Sequence, residues 1–152
     1  MKVRTAGFTI VELVFVLVLI GIVSVALLPR AFDRSGFDAR GYADDLAASL
    51  RYARNLAVAG GCPVQVAVTA AGYAVTRPAS FCATGAFATP VAEPGGTEAL
   101  ARSTPTGVAV TGVPVTWRFA TDGSTDLGAD ATLTVGAHTL RLIAATGYVE
   151  TP

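Results

Sequence analysis

Hydrophobic and polar positions divide the chain into zones of different period. From Phe8 to Leu28 the residues FTIVELVFVLVLIGIVSVALL carry one charge, Glu12, and no proline. At 1.5 Å per residue this run makes a helix about 30 Å long, enough to cross the hydrocarbon core of a bilayer. Ahead of it, MKVRTA carries Lys2 and Arg4 and no acid. Such a cationic stub keeps its own end in the cytoplasm and sends the far end across the membrane. Pro29 lacks an amide hydrogen and is expected to bend or interrupt the helix on leaving the membrane. Residues 30–41 are polar and helical in part, with Gly36 and Gly41 as weak points. From there Ala43, Leu46, Ala47, Leu50, Ala53 and Ala57 recur at steps of three or four, one face of a second helical half. Asp44, Asp45, Arg51 and Arg54 are left mainly to the other side. Gly60-Gly61 and Pro63 supply the stop.

Beyond Pro63 the period changes to two. Val64, Val66 and Val68 alternate with Gln65, Ala67 and Thr69, which predicts a half-buried strand. Ala71-Gly72 turns it into a hairpin partner at residues 73–76. Residues 77–107 are rich in Pro, Gly, Ala, Ser and Thr, and read as a long irregular excursion. A short strand is expected at residues 108–110. Val115, Trp117 and Phe119 then form the inward face of another strand, turned at Asp122-Gly123. Leu133 and Val135 pair with Leu140 and Leu142 across Gly136-Ala137, and Gly147-Tyr148-Val149 makes the last strand. A long helix followed by six or so mainly antiparallel strands is an α+β fold.

Glu12 changes the reading of the apolar run. A secretory signal has an h-region of roughly 7 to 15 residues with small residues after it. Here the run is longer and the small residue, Gly7, stands before it. A carboxylate that deep costs about 2.5 kcal/mol or more in lipid, so it needs a partner or a task. Elsewhere the composition is neutral, eleven bases against eleven acids, so no general attraction to nucleic acid or anionic lipid is encoded. Only 14% of residues are charged, a surface suited to packing against other copies or partners. The 124 residues that follow Leu28 are one domain's worth. Cys62 and Cys82, carried to an oxidising compartment, are expected to form a disulfide. It would stabilise by about 3 kcal/mol in the chain-entropy model.

The string Gly7-Phe8-Thr9-Ile10-Val11-Glu12-Leu13 resembles the class III signal of type IV pilins and type II secretion pseudopilins. The resemblance implies that a prepilin peptidase cuts after Gly7 and methylates Phe8, the new amino terminus. Gly21 and Pro29 fall where that family bounds a helix segment that can unwind in the filament. Glu12 would then be an assembly residue: with helices staggered side by side, it meets the free amine of Phe8 on a neighbour. In the head, LAASLRYARNLAV (46–58), VTWRFATDGS (115–124) and LRLIAATGYV (140–149) resemble the H-type pseudopilin and minor pilin family, GspH/FimT. The expected fold is type IV pilin-like, with a long N-terminal helix, its first half membrane-spanning, packed on a mainly antiparallel sheet. The segments are a cleaved leader (1–7), a membrane and assembly helix (8–28), a periplasmic helical half (29–61) and a β-rich head (62–152).

What the resemblance implies is a minor pseudopilin in the inner membrane, head in the periplasm, drawn into a pilus-like filament for protein secretion. Its partners would be the prepilin peptidase, other pseudopilins or pilins, and secreted substrates. A second reading is a minor pilin of a type IV pilus, since residues 28–46 look like those of mannose-sensitive haemagglutinin-type pili. A third is a plain membrane-anchored binding domain.

Catalytic chemistry finds no foothold. His138 is the single histidine, there is no CxxC, and no nucleophile elbow or phosphate loop is present. An enzyme, a metal site or a cofactor is not expected. Asp122, Asp126 and Asp130 in DGSTDLGAD depart from EF-hand spacing and lack the closing Glu. Some members of the subfamily act in DNA uptake through basic residues near the C-terminus. Here the tail is GYVETP with only Arg141 nearby, so DNA is not expected as a partner. Tyr and Trp are spaced as core strand positions.

Overall fold

A computed structural model describes residues 9–31, 34–80, 82 and 85–151. The chain divides into two compact units, Met1–Arg34 and Ser35–Pro152. The first contains helix α1, Ile10–Ala31. Its side chains are exposed from Ile10 through Val23, Leu17 by 60% and Ile22 by 64%. A helix apolar on every side is built for a partner bundle or a lipid phase. Among the described residues no helix is long and apolar enough to cross a membrane. The span expected at residues 8–28 opens on Phe8, which lies outside them.

The second unit holds α2, Arg34–Gly60, from its second residue on, and nine strands among the described residues. Sheet one runs β3(Thr89–Pro90)-β2(Gly72–Arg77)-β1(Val64–Thr69)-β6(Val115–Phe119), with β4(Ala101–Ser103) also on β2. Sheet two runs β5(Val110–Thr111)-β7(Ala131–Val135)-β8(His138–Ile143)-β9(Tyr148–Glu150). The pairings within both sheets are antiparallel. Alternation sets their inward faces: Val64, Val66 and Val68 are buried on β1, Trp117 and Phe119 on β6, Leu133 and Val135 on β7. Against these packs the α2 stripe Leu46, Leu50, Ala53 and Ala57. Burying a side chain such as Leu46 stabilises by about 1.5–3 kcal/mol.

Three boundaries differ from expectation. Residues 30–41, expected to be helical only in part, are continuous α2 from Arg34 onward. Ala39 and Tyr42 are buried and extend the inward stripe by a turn, while Gly36 and Gly41 stand exposed. Their packing offsets the roughly 1 kcal/mol that each glycine costs a helix. The 77–107 excursion is not wholly irregular. Its 91–100 segment folds back on itself and enters β2's edge, Val91 N–H donating to Val75 O and Val75 N–H to Leu100 O, both at 3.0 Å. The strand expected at 108–110 is shifted to Val110–Thr111.

Trp117 is 1% exposed, and among the described residues its indole N–H has no hydrogen-bond partner. It stacks edge-on to Phe119 with ring centroids 6.1 Å apart. An unpaired buried donor costs about 1–3 kcal/mol, which Phe would relieve. Trp117→Phe is therefore expected to cost less than about 1.5 kcal/mol by urea unfolding, against about 3–5 for Trp117→Ala. Equal losses would show that the N–H is satisfied. The expectation that Tyr and Trp occupy core strand positions holds for Tyr73 and Trp117; Tyr42 is buried and Tyr52 half-buried on α2, and Tyr148 is 58% exposed on β9 beside buried Val149.

Candidate assembly site

Gly7 and Phe8 lie outside the described residues. Leu13 N–H donates to Thr9 O at 3.1 Å, and Glu12 N–H donates to Thr9 Oγ1 at 3.3 Å. Thr9 is thus the N-cap of α1 and Glu12 its third helical residue. Thr-x-x-Glu is the spacing of a capping box. That signal is legible in the sequence, where it overlaps the processing motif. Glu12 is exposed, and as an acid in the first turn it complements the positive end of the helix dipole.

Gly21 is mid-helix, and a Cβ there would meet nothing within 4 Å. Its cost to the helix, about 1 kcal/mol relative to Ala, has no packing reason within the described residues. Ser24 Oγ donates to Ile20 O at 2.7 Å, a back-bond that loosens and bends helices. Pro29 lies inside α1, two residues before its end at Ala31. The stretch from Gly21 to Pro29 is therefore the weakest part of α1 by composition.

In the second unit, residues assigned to the outer face of α2 instead fasten it to the sheets. Asp45 Oδ2 accepts the Tyr73 hydroxyl at 2.6 Å and lies 3.4 Å from Arg102 Nε. Tyr73 also shares a bond with Ser49 Oγ at 2.9 Å, satisfying that buried hydroxyl. Burial, then the Asp45 carboxylate, pushes the Tyr73 phenol well above its usual range, and burial raises Tyr42 as well. Both phenols stay neutral in the folded state, so their contribution is lost as pH rises past about 10. Arg51 Nη2 donates to Val149 O at 3.2 Å, and Arg54 Nε to Thr146 O at 2.9 Å. No helical periodicity marks a residue that leans sideways to a strand end; only Asp44 of the four stays clear of the sheets, facing Arg40 at 3.9 Å.

Cys62 and Cys82 are joined in a disulfide. Gly61, at φ +59°, ends α2 in the left-handed conformation, and Cys62 N–H returns to Ala57 O at 3.2 Å. This Schellman closure turns Cys62 toward the excursion. Further along, Phe87 receives the Arg118 guanidinium 4.8 Å from its ring centroid. The excursion is thus fastened at Cys82, at Phe87 and at β3.

Each carboxylate of the 122–130 loop has a local use. Asp122 Oδ1 accepts Ser124 N–H at 2.9 Å and its hydroxyl at 2.6 Å. Asp126 Oδ1 accepts Arg118 N–H at 2.7 Å. Asp130 accepts Ala144 N–H at 2.9 Å and pairs with Arg141 at 2.8 Å. Arg141 also faces Glu150 at 3.7 Å, so the base nearest the C-terminus is already shared by two acids. The Ser124 hydroxyl holds Asp122 below the usual carboxylate range, and the Ala144 N–H does the same for Asp130. A depressed folded pKa gives stability that is present above about pH 4 and lost as pH falls further. Asp130→Asn should flatten the acid limb of a stability-against-pH curve, measured by urea unfolding; an unchanged limb would remove Asp130 from it.

A long apolar helix, a second helix across two antiparallel sheets and one disulfide define the type IV pilin-like class of fold. The type IV minor pilin FimU of Pseudomonas aeruginosa (strain PAO1) is similar in structure. One crystal form gives a TM-score of 0.55 at 17% identity, covering 74% of this chain and 91% of that one. Another gives 0.54 at 18%, covering 74% and 87%. No curated protein is significantly similar to the chain in sequence. The family model described as type II transport protein GspH matches residues 42–147, more than half the chain. The chain belongs to the GspH family.

Proposed function

We propose that this chain is a minor pseudopilin of a type II secretion system, a structural subunit and not an enzyme. Cleavage after Gly7 and methylation of Phe8 by a prepilin peptidase release a helix that spans the inner membrane, with the head in the periplasm. The helix then joins others in a short filament that moves secreted proteins outward. The observation that carries this is Glu12 on the first turn of an apolar helix capped by Thr9. A new amine at Phe8 stands one residue before that cap, at the height where a neighbour's Glu12 can neutralise it. The weak Gly21–Pro29 stretch lets the helix unwind between subunits.

The FimU likeness supports a second reading, a minor pilin of a surface pilus. Deleting the gene separates the two. Loss of secreted enzymes from the medium with pili intact supports the secretion filament. Loss of surface pili with secretion intact supports the pilus. No change in either contradicts both.

A further inference from the structure

The strand edges of this head are not treated alike. Past β6, Arg118 N–H donates to Asp126 Oδ1 and Asp126 N–H returns to Arg118 O at 3.2 Å, closing that edge. Past β9, the Val149 carbonyl is taken by Arg51. Strand β4 differs. Register pairs Arg102 with Tyr73, and Thr104 N–H donates to Ala71 O at 2.9 Å, so alternation turns the Ser103 N–H and C=O away from β2. All three β4 residues are exposed.

Beside this edge runs a groove of about 390 Å³ between β4 and the first turns of α2. Tyr42 floors it, its hydroxyl accepting from Thr104 Oγ1 at 3.3 Å, and Phe37 stands on its rim 81% exposed. Asp38 and Asp45 line it against one base, Arg102, which is shared between Asp45 at 3.4 Å and Glu93 at 3.0 Å, so the acids outnumber the base. An open edge takes a strand, an exposed ring takes an apolar side chain, and an acidic lining takes a base.

We propose that this groove receives an extended, Lys- or Arg-bearing segment of a neighbouring filament subunit, which adds to β4 as a further strand. The choice of neighbour rests on the assembly reading above; the groove itself does not. The probe is a synthetic peptide of alternating Val and Thr with a Lys at each end, titrated into the full chain in detergent micelles. Binding should slow hydrogen exchange at the Ser103 amide. A copy with methylated backbone nitrogens, and one with Glu for Lys, should bind at least about tenfold more weakly. Ser103→Pro should abolish binding with the melting temperature kept, since that N–H faces outward. Phe37→Ala should weaken it about tenfold. No protection at Ser103, or equal binding by the methylated peptide or by Ser103→Pro, overturns strand addition. A photo-crosslinking residue at position 37 in cells should yield an adduct that mass spectrometry identifies as a filament subunit. An adduct with a secreted protein alone, or none, overturns the choice of neighbour. The peptide titration is independent of Glu12, so it still reads the groove if the assembly reading fails.

Discussion

Glu12→Ala is expected to leave the protein inserted and processed, yet absent from the filament. The carboxylate is the single charge in an apolar run, and unpaired it is costly in lipid. In the proposed assembly, pairing with a neighbour's amine would relieve both charges and set the axial stagger, so its removal would take away what selects one register over another. Incorporation should fall by about a hundredfold or more, if the pair contributes about 3 kcal/mol of coupling in a dry interface. Sheared filaments quantified by immunoblot against the membrane pool give the readout. Glu12→Gln separates charge from capping: it can still reach back to the helix end but cannot neutralise an amine. Normal incorporation of the Gln variant would remove the ion pair from the mechanism.

The second large effect lies in the head. Replacing Cys62 and Cys82 with Ser together should lower its stability by about 3 kcal/mol, because the bond closes a loop with a sequence separation of 20. For a domain of this size that is a melting shift of roughly 10–20 °C. The loop includes β1, β2 and the start of the excursion, whose later part is held by the Arg118–Phe87 contact and by the bonds of β3, residues 91–100 and β4 to β2. A reducing agent should shift the parent protein by the same amount and the double variant not at all. A shift below about 2 °C would mean that the excursion is held by its other contacts.

What the sequence made legible follows from periodicity. The α2 stripe from Ala43 to Ala57 and the alternations at Val64–Val68, Val115–Phe119 and Leu133–Leu142 face the core as read, buried except for half-buried Val115, since the positions facing one core repeat at fixed intervals. The excursion was opaque because β3 has two residues and β4 three, and β4 buries none of them. A strand that buries nothing leaves no alternation. The start of α2 was hidden by Gly36 and Gly41, whose low propensity is overridden by the packing of Ala39 and Tyr42. Arg51, Arg54 and Asp45 fall on the side of α2 away from the apolar stripe, and their bonds to the sheets are not legible there because helix spacing gives the angle of a side chain and not its reach. In the assembly site, the motif pointed to Glu12 and missed Thr9, although both belong to one capping pattern.

The measurement that bears most directly on assembly through a processed helix is the mass of the amino-terminal peptide from protein in its native envelope. A chain starting at N-methylated Phe8, with Glu12 five residues in, is the predicted result. A chain still beginning at Met1, or trimmed beyond residue 28, would contradict it.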